Sequence, residues 1–173
     1  MVGEIRDKET ADIAVQSSLT GHLVLSTLHT NDACSVFPRL TDIGVEPFMV
    51  AATIQGVQAQ RLVRKLCSHC SETTEAPTFL SDELPEGDWR KPVGCQKCQG
   101  KGYRGRIGVY ELVTVNAEIR DLITHSAPLA KIREAARTSG SRSLLDDGLL
   151  KASRGVTSVE EVLRVCSIEE SEL

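Results

Sequence analysis

The chain is poor in aromatic residues, with one Trp, two Tyr and three Phe in 173 residues. Its core must therefore rest on Leu, Ile, Val and Ala. It has no apolar run near the roughly 18 residues that a membrane-spanning helix needs. The opening Met1-Val2-Gly3-Glu4-Ile5-Arg6-Asp7 has no apolar core of the kind a secretory leader carries, so no leader is expected. A basic excess is missing too: 24 acids stand against 20 bases, for a formal charge of −4. That argues against a dedicated nucleic-acid binder. No G-x-x-x-x-G-K-[ST] phosphate loop occurs anywhere. What remains is ordinary for a globular protein, with 40% hydrophobic and 25% charged residues.

Six cysteines are present, and four form two C-x-x-C pairs, Cys67-Ser68-His69-Cys70 and Cys95-Gln96-Lys97-Cys98. A C-x-x-C turn lets both thiolates face one ion. Two such knuckles complete a tetrahedral sulfur set that suits Zn2+. The site would be structural, since four protein ligands leave no open position for water. Its task would be to stabilise a segment too poor in apolar residues to fold alone. His69 reads as a solvated loop histidine. Cys34 and Cys166 read as small buried apolar residues.

Residues 1–66 read as α/β. A short apolar piece, 1–5, precedes a helix with Ala11, Ala14, Val15, Ser18 and Leu19 on one face. The run His22-Leu23-Val24-Leu25-Ser26-Thr27-Leu28 predicts a strand buried on both faces. Thr30-Asn31-Asp32 is a turn and a candidate cap. A second helix ends at Gly44, kinked or delayed by Pro38. A third starts near Pro47 and runs through Gln60. This alternation argues for parallel, doubly wound packing. Residues 67–106, with three prolines and five glycines, read as a loop-rich insertion. A return strand follows over 107–113. Four helices then follow, marked by Asn116 as a cap, by Leu129-Ile132-Ala135-Ala136, by Leu144-Leu145-Leu149-Ala152, and by a capping box at Ser158-x-x-Glu161. The acidic end, 168–173, is expected to fray.

Two further clusters carry chemistry. Glu4 ends an apolar strand, where nucleotide-binding α/β folds hold Mg2+ or polarise water, although any surface Glu gives the same letter. His22 and His29 bracket the next strand, with polar residues gathered at its C-terminal end, where open α/β sheets place ligands. A neutral histidine there can donate to a phosphate oxygen. The same pattern also suits a satisfied histidine at the edge of a core. Arg61, Arg64, Lys65, Arg104 and Arg106 make two local basic clusters, as a solvated face commonly does.

Together these residues resemble a known family. Gly3-Glu4-Ile5-Arg6-Asp7-Lys8-Glu9-Thr10-Ala11 is similar to the Walker B segment of the secretion ATPases, and the stretch from Thr20 to Asp32 to their histidine box. Gln60 to Cys67 and Gly102 to Glu111 resemble the runs that open and close their tetracysteine subdomain. Asp147-Gly148 and Gly155 to Arg164 resemble their tail. The family is that of the type II secretion protein E and type IV pilus assembly ATPases. The resemblance covers nearly the whole chain except 71–92.

It implies an α/β fold: the C-terminal part of a RecA-like P-loop core (1–66), a tetracysteine zinc subdomain (67–106), then a return strand and C-terminal helical bundle (107–173). It implies ATP, Mg2+ and Zn2+ as cofactors. It also implies a homohexamer working with inner-membrane platform and cytoplasmic-anchor proteins, peripheral at the cytoplasmic side of the bacterial inner membrane, and no nucleic acid. By position, Glu4 would be the Walker B glutamate that activates water, and Arg6 and Asp7 would support the Mg2+ and phosphate neighbourhood. His29 and His22 would read the γ-phosphate. Cys67, Cys70, Cys95 and Cys98 would bind Zn2+. The family places its Walker A loop upstream of Walker B, so the chain is expected to be a C-terminal piece that exposes apolar surface and does not turn over ATP alone. Retraction ATPases lack the cysteine insertion, which favours secretion or pilus extension. The alternative is a zinc-ribbon module that binds protein or nucleic acid without enzymatic activity. A heat-shock cochaperone knuckle shares Cys95-x-x-Cys98-x-Gly100-x-Gly102, but in four repeats where this chain has one.

Overall fold

The computed structural model describes residues 1–76 and 87–166. The expected fraying at 168–173 lies outside them. Among the described residues, seven α-helices and four strands follow in order: α1 (Lys8–Leu19), α2 (Val36–Ile43), α3 (Pro47–Thr53), β1 (Gly56–Leu66), β2 (Glu72–Thr73), β3 (Arg90–Lys91), β4 (Tyr103–Thr114), α4 (Ala117–Thr124), α5 (Leu129–Thr138), α6 (Leu144–Ala152) and α7 (Val159–Cys166). β1 pairs with β4, and β2 pairs antiparallel with β3 through Glu72–Lys91 and Thr73–Arg90.

The packing divides the chain into two compact units. The first comprises Met1–Ala59 and Leu112–Ser141, the second Gln60–Glu111 and the chain from Arg142 on. These boundaries differ from the composition shifts at 66/67 and 106/107. The reason lies in the second unit, where the cysteine segment draws its partners from the last helices.

The first unit is built on aliphatic burial. Ala11, Ala14 and Val15 of α1, Phe37 and Leu40 of α2, Val50 and Ala51 of α3, Val113, Ile119 and Ile123, and Ile132, Ala135 and Ala136 of α5 form one cluster. Of the expected helix faces, α1 buries Ala11, Ala14 and Val15 but leaves Leu19 51% exposed, and α5 buries Ile132, Ala135 and Ala136. Asn116 caps α4 by accepting from the Ile119 N–H at 2.9 Å. Pro38 delays α2: the helix starts at Val36, which leaves Pro38 in the first turn, where its missing N–H costs nothing.

Three expectations are corrected. The helix from Pro47 ends at Thr53, and 56–66 is strand. There Val57 and Ala59 alternate with exposed Gly56, Gln58 and Gln60, a period of two. The run 22–28 is buried on one face only. Val24 and Leu28 pack on the core, while Leu23 and Leu25 are 83% and 60% exposed. The expected apolar exposure is thus present. The return strand begins at Tyr103, four residues before the expected start.

In the second unit, helix α7 was expected to open with a full capping box. Only half of it forms: Ser158 Oγ accepts from the Glu161 N–H at 3.3 Å, while the Glu161 carboxylate goes to Arg64 and Arg164. A complete box stands instead at α6, between Ser143 and Asp146. The Asp147-Gly148 pair has a packing reason. Asp147 accepts from the Tyr110 N–H at 2.8 Å and from the Lys151 ammonium. A side chain at Gly148 would strike Val162 of α7 at 2.5 Å.

Candidate functional site: a carboxylate–histidine pair and a four-thiol centre

In the first unit, residues 1–5 and 22–28 run parallel. The Val2 N–H donates to the Leu25 carbonyl, the Thr27 N–H to the Gly3 carbonyl and the Ile5 N–H to the Thr27 carbonyl, at 2.9–3.0 Å. Glu4 thus sits opposite Thr27, and His29, two residues on, falls within reach. His29 Nε2 lies 3.1 Å from Glu4 Oε1, and Arg6 lies 2.5 Å from Glu4 Oε2. The Arg6 hydrogen bond, helped by His29, holds the Glu4 carboxyl below its ordinary value. Glu4 is therefore an ionised carboxylate near neutral pH, with a neighbouring imidazole that can hold or pass a proton.

Asp7 does not point into this pair. It caps α1, accepting from the Thr10 N–H at 2.8 Å, and that bond lowers its pKa. His22 stands at the other end of the extended segment, five residues before Thr27 or about 16 Å of strand. Its Nδ1 lies 3.2 Å from Thr20 Oγ1 and from the Ser17 carbonyl, at the C-terminus of α1. The structure thus brings Glu4, Arg6 and His29 together and leaves Asp7 and His22 with local partners.

Sequence reasoning missed Arg133. The nearly buried Asp32 accepts at Oδ1 from the N–H and hydroxyl of Ser35, both at 2.8 Å, and at Oδ2 from Arg133 of α5 at 2.5 Å. An isolated arginine on a helix gives no sequence signal for a partner 101 positions away. Asp32 itself was a candidate cap, and it serves the Ser35 N–H just ahead of α2.

In the second unit the four sulfurs of Cys67, Cys70, Cys95 and Cys98 all lie within 4.8 Å of one another. Cys98 Sγ is 3.8 Å from both Cys70 Sγ and Cys95 Sγ. A tetrahedron with Zn–S bonds of about 2.3 Å has edges of about 3.8 Å, so the donor set fits zinc. The outer shell fits as well. Backbone N–H groups aim at the sulfurs: Gly94 at Cys70 (3.3 Å), and Cys95 and Gly102 at Cys98 (3.1 and 3.2 Å). Gly102 must be glycine, with φ +74°, because a side chain there would strike Pro92. The Cys95 N–H pulls the Cys98 thiol down to about 6, while burial pushes Cys70 up to about 12. His69 is exposed and lies 3.4 Å from the Lys97 ammonium, outside the sulfur set.

The knuckles are tied to α7 through a polar cluster. The Cys67 N–H donates to the Gly102 carbonyl, and the Leu66 N–H to Val156, both at 2.9 Å. Arg64 stacks on the Tyr103 ring at 4.1 Å, and Tyr103 Oη lies 2.7 Å from Ser158 Oγ. The Glu161 carboxylate, 1% exposed, takes hydrogen bonds from the Arg64 backbone and guanidinium at 3.0 and 2.6 Å. It takes two more from Arg164 at 2.8 and 2.7 Å. Burial alone would raise its pKa, but the Arg164 and Arg64 bonds outweigh it and bring it to about 2.

Fold and site define an α/β chain with a carboxylate–histidine pair in one unit and a four-thiol, zinc-type centre in the other. The chain belongs to the type II/IV secretion system protein family, whose model matches residues 1–164. It is 52% identical over 165 residues to the type II secretion system protein HxcR of Pseudomonas aeruginosa, covering 95% of this chain and 33% of that protein. It is 48% identical to the type IV pilus assembly ATPase TfpB of Acinetobacter baylyi, covering 95% and 29%. The chain therefore spans about a third or less of the length of these relatives. Its fold is shared with the pilus retraction motor PilT solved with ADP (TM-score 0.66, 24% identity, 99% of this chain and 40% of that one). It is shared also with the ATPase DotB of Yersinia pseudotuberculosis (TM-score 0.65, 20% identity, 95% and 35%). Among the described residues, no helix is long and apolar enough to cross a membrane.

Proposed function

We propose that this chain is the part of an ATP-hydrolysing motor subunit that carries the water-activating carboxylate and the zinc subdomain, and that the motor powers type II secretion or type IV pilus assembly. The observation that carries the reading is the Glu4–His29 contact at 3.1 Å, with Arg6 on the second carboxylate oxygen. Phosphoryl transfer to water needs a group that orients the nucleophile and a group that follows the charge on phosphate. Glu4, held ionised, takes the first role. His29, bonded to Glu4 and exposed on its other side, takes the second by donating to a phosphate oxygen. Arg6 fixes the carboxylate. Asp7 acts at one remove by capping α1 at the end of the same segment, while His22, bonded to Thr20 and Ser17 at the far end of 22–28, stands apart from the pair.

The chain has no G-x-x-x-x-G-K-[ST] phosphate loop, and its glycine-rich Gly100-Lys101-Gly102 belongs to the cysteine knuckle, so in this reading the phosphate cradle and most of the Mg2+ coordination are supplied by other sequence. Cys67, Cys70, Cys95 and Cys98 hold Zn2+ as a structural ion. The assembly is a homohexamer that meets the platform and anchor proteins of the machine at the bacterial inner membrane. The names of the relatives support the secretion or pilus-assembly part of this setting.

The test is a chimera. The part of HxcR that precedes the match is joined to this chain at Met1, and ATP hydrolysis is measured with and without Glu4→Gln. Loss of the positioned carboxylate is expected to cut the rate by about 100-fold or more, the scale of general acid–base groups, with nucleotide binding retained. Unchanged hydrolysis by the Gln variant would overturn the assignment. The isolated chain is expected to show no calorimetric binding of a Mg2+-ATP analogue while remaining folded by circular dichroism.

A further inference from the structure

The loop between the extended segment and α2 is held at two points. His29 is fixed to Glu4, and Asp32, three residues on, is fixed to α5 through Arg133. The second anchor is the stronger one. Asp32 is 5% exposed, and both of its oxygens are used. Arg133 also reaches Ser35 Oγ at 3.4 Å, so one guanidinium meets both sides of the turn. Thr30 Oγ1 closes the turn from within by donating to the Asp32 carbonyl at 2.9 Å. The His29 side chain, by contrast, is 86% exposed. Its place cannot come from packing, so it comes from the backbone, which the Thr27 pairing with Gly3 and Ile5 fixes on one side and the Asp32 turn on the other. A buried carboxylate keeps its geometry only while its cation is present. The planar guanidinium supplies that cation in a fixed direction.

We propose that Arg133 is a positioning residue. Through Asp32 it sets the 29–35 turn so that His29 meets Glu4, making α5 part of the machinery that aligns the carboxylate–histidine pair. The inference rests on the functional reading above for its significance, but its test does not. α5 lies more than 90 residues along the chain from the pair it serves. Sequence proximity therefore gives no hint of the connection, and the guanidinium carries a displacement of α5 to the turn through Asp32 and Ser35.

The experiment is NMR on the 173-residue chain, following the NOE between the His29 ring and the Glu4 γ-methylene. Wild type is expected to show it. Arg133→Gln is expected to lose it while the methyl contacts of Ile132 and Ala136 within the core persist, and Arg133→Lys, which keeps the charge, is expected to bring part of it back. A persistent His29–Glu4 NOE in Arg133→Gln would overturn the proposal. If that variant unfolds because Asp32 is left as an unpaired buried charge, the double variant Asp32→Asn with Arg133→Gln decides. Folded without the NOE, it supports the role. Folded with the NOE, or unfolded, it assigns the pair to general stability and overturns the role. No nucleotide enters this measurement, so failure of the ATPase reading would appear only in the Glu4→Gln chimera and not here.

Discussion

The two units are stabilised in different ways. The first holds its helices by an aliphatic cluster in which Ala11, Phe37, Ile119 and Val113 are at most 1% exposed. The second buries Val63, Val109 and Val162 to the same degree, yet it also buries Thr157 and Glu161 and ends in a four-thiol cluster. Apolar burial is non-directional and tolerates adjustment. Hydrogen-bonded charge and metal ligation fix distances and fail abruptly when one partner is lost. A segment such as 87–102, whose buried apolar content is essentially Trp89 with Cys98, can hold one geometry only by the second means. The candidate pair, meanwhile, sits on the first unit, with His29 exposed and Glu4 half-buried, and that unit uses such a device at the buried Asp32–Arg133 pair.

The largest break in this comparison should come from metal removal. With Zn2+ bound, the four thiols contribute folding free energy directly, on a scale of about 10–16 kcal/mol in small zinc modules. A tight chelator is therefore expected to abolish hydrogen-exchange protection at the Gly94, Cys95 and Gly102 amides, which face the sulfurs. Amides of α4 and α5 in the first unit should stay protected. Loss of protection in both units together would mean that the units do not differ in the way their cores indicate.

The next effect is at Glu161. Glu161→Ala leaves Arg64 and Arg164 facing a vacated, buried position, and the expected cost is about 3–5 kcal/mol in denaturant unfolding. The pH dependence follows from the direction of the shift. The folded carboxyl titrates at about 2 against an ordinary 4.5, so its contribution is complete above the higher value. It is lost as pH falls from there through the lower one. The gap corresponds to about 3 kcal/mol. Wild type should therefore lose stability between about pH 4.5 and 2 by an amount that Glu161→Ala does not show; parallel acid profiles for the two would refute this.

How much of this was legible in the sequence follows the same division. Helices α4 to α7 were readable because apolar spacing near 3.6 and caps such as Asn116 are local signals. The four cysteines were readable because metal geometry imposes spacing. The run 56–60 was misread because only Ile54, Gln55 and Gly56 separate Val57 and Ala59 from the preceding helix, and alternation over so few positions does not separate the two periods. The Glu161 cluster and the Asp32–Arg133 pair were not legible. The first joins residues 97 positions apart and the second 101, and no local pattern encodes such a pairing. Ser158-x-x-Glu161 even pointed elsewhere, because the letters of a capping box do not reveal that a tertiary partner outbids the backbone.

In the first unit the matching prediction is a cost without pH dependence. Ile119 is fully buried in the aliphatic cluster, and Ile119→Ala is expected to cost about 2–5 kcal/mol through lost burial and residual cavity. Because no titrating group is involved, the deficit should stay constant between pH 4 and 8. A deficit that grows on acidification would show that this core, too, leans on a charged partner.

The smallest effects should fall on the functional pair itself, and their ordering is the informative part. Glu4 is held below its ordinary pKa first by the Arg6 hydrogen bond and only secondarily by His29. Carboxyl carbon titration by NMR should therefore show the Glu4 midpoint rising in both Arg6→Ala and His29→Ala, with the larger rise in Arg6→Ala. Neither substitution should noticeably move the unfolding midpoint, because exposed ion pairs contribute little to stability. A larger rise in His29→Ala would make the imidazole, not the guanidinium, the group that keeps Glu4 ionised. The histidine would then set the charge of the carboxylate to which we assign water activation, and any contact that drew His29 away would raise the Glu4 pKa and weaken it as a base.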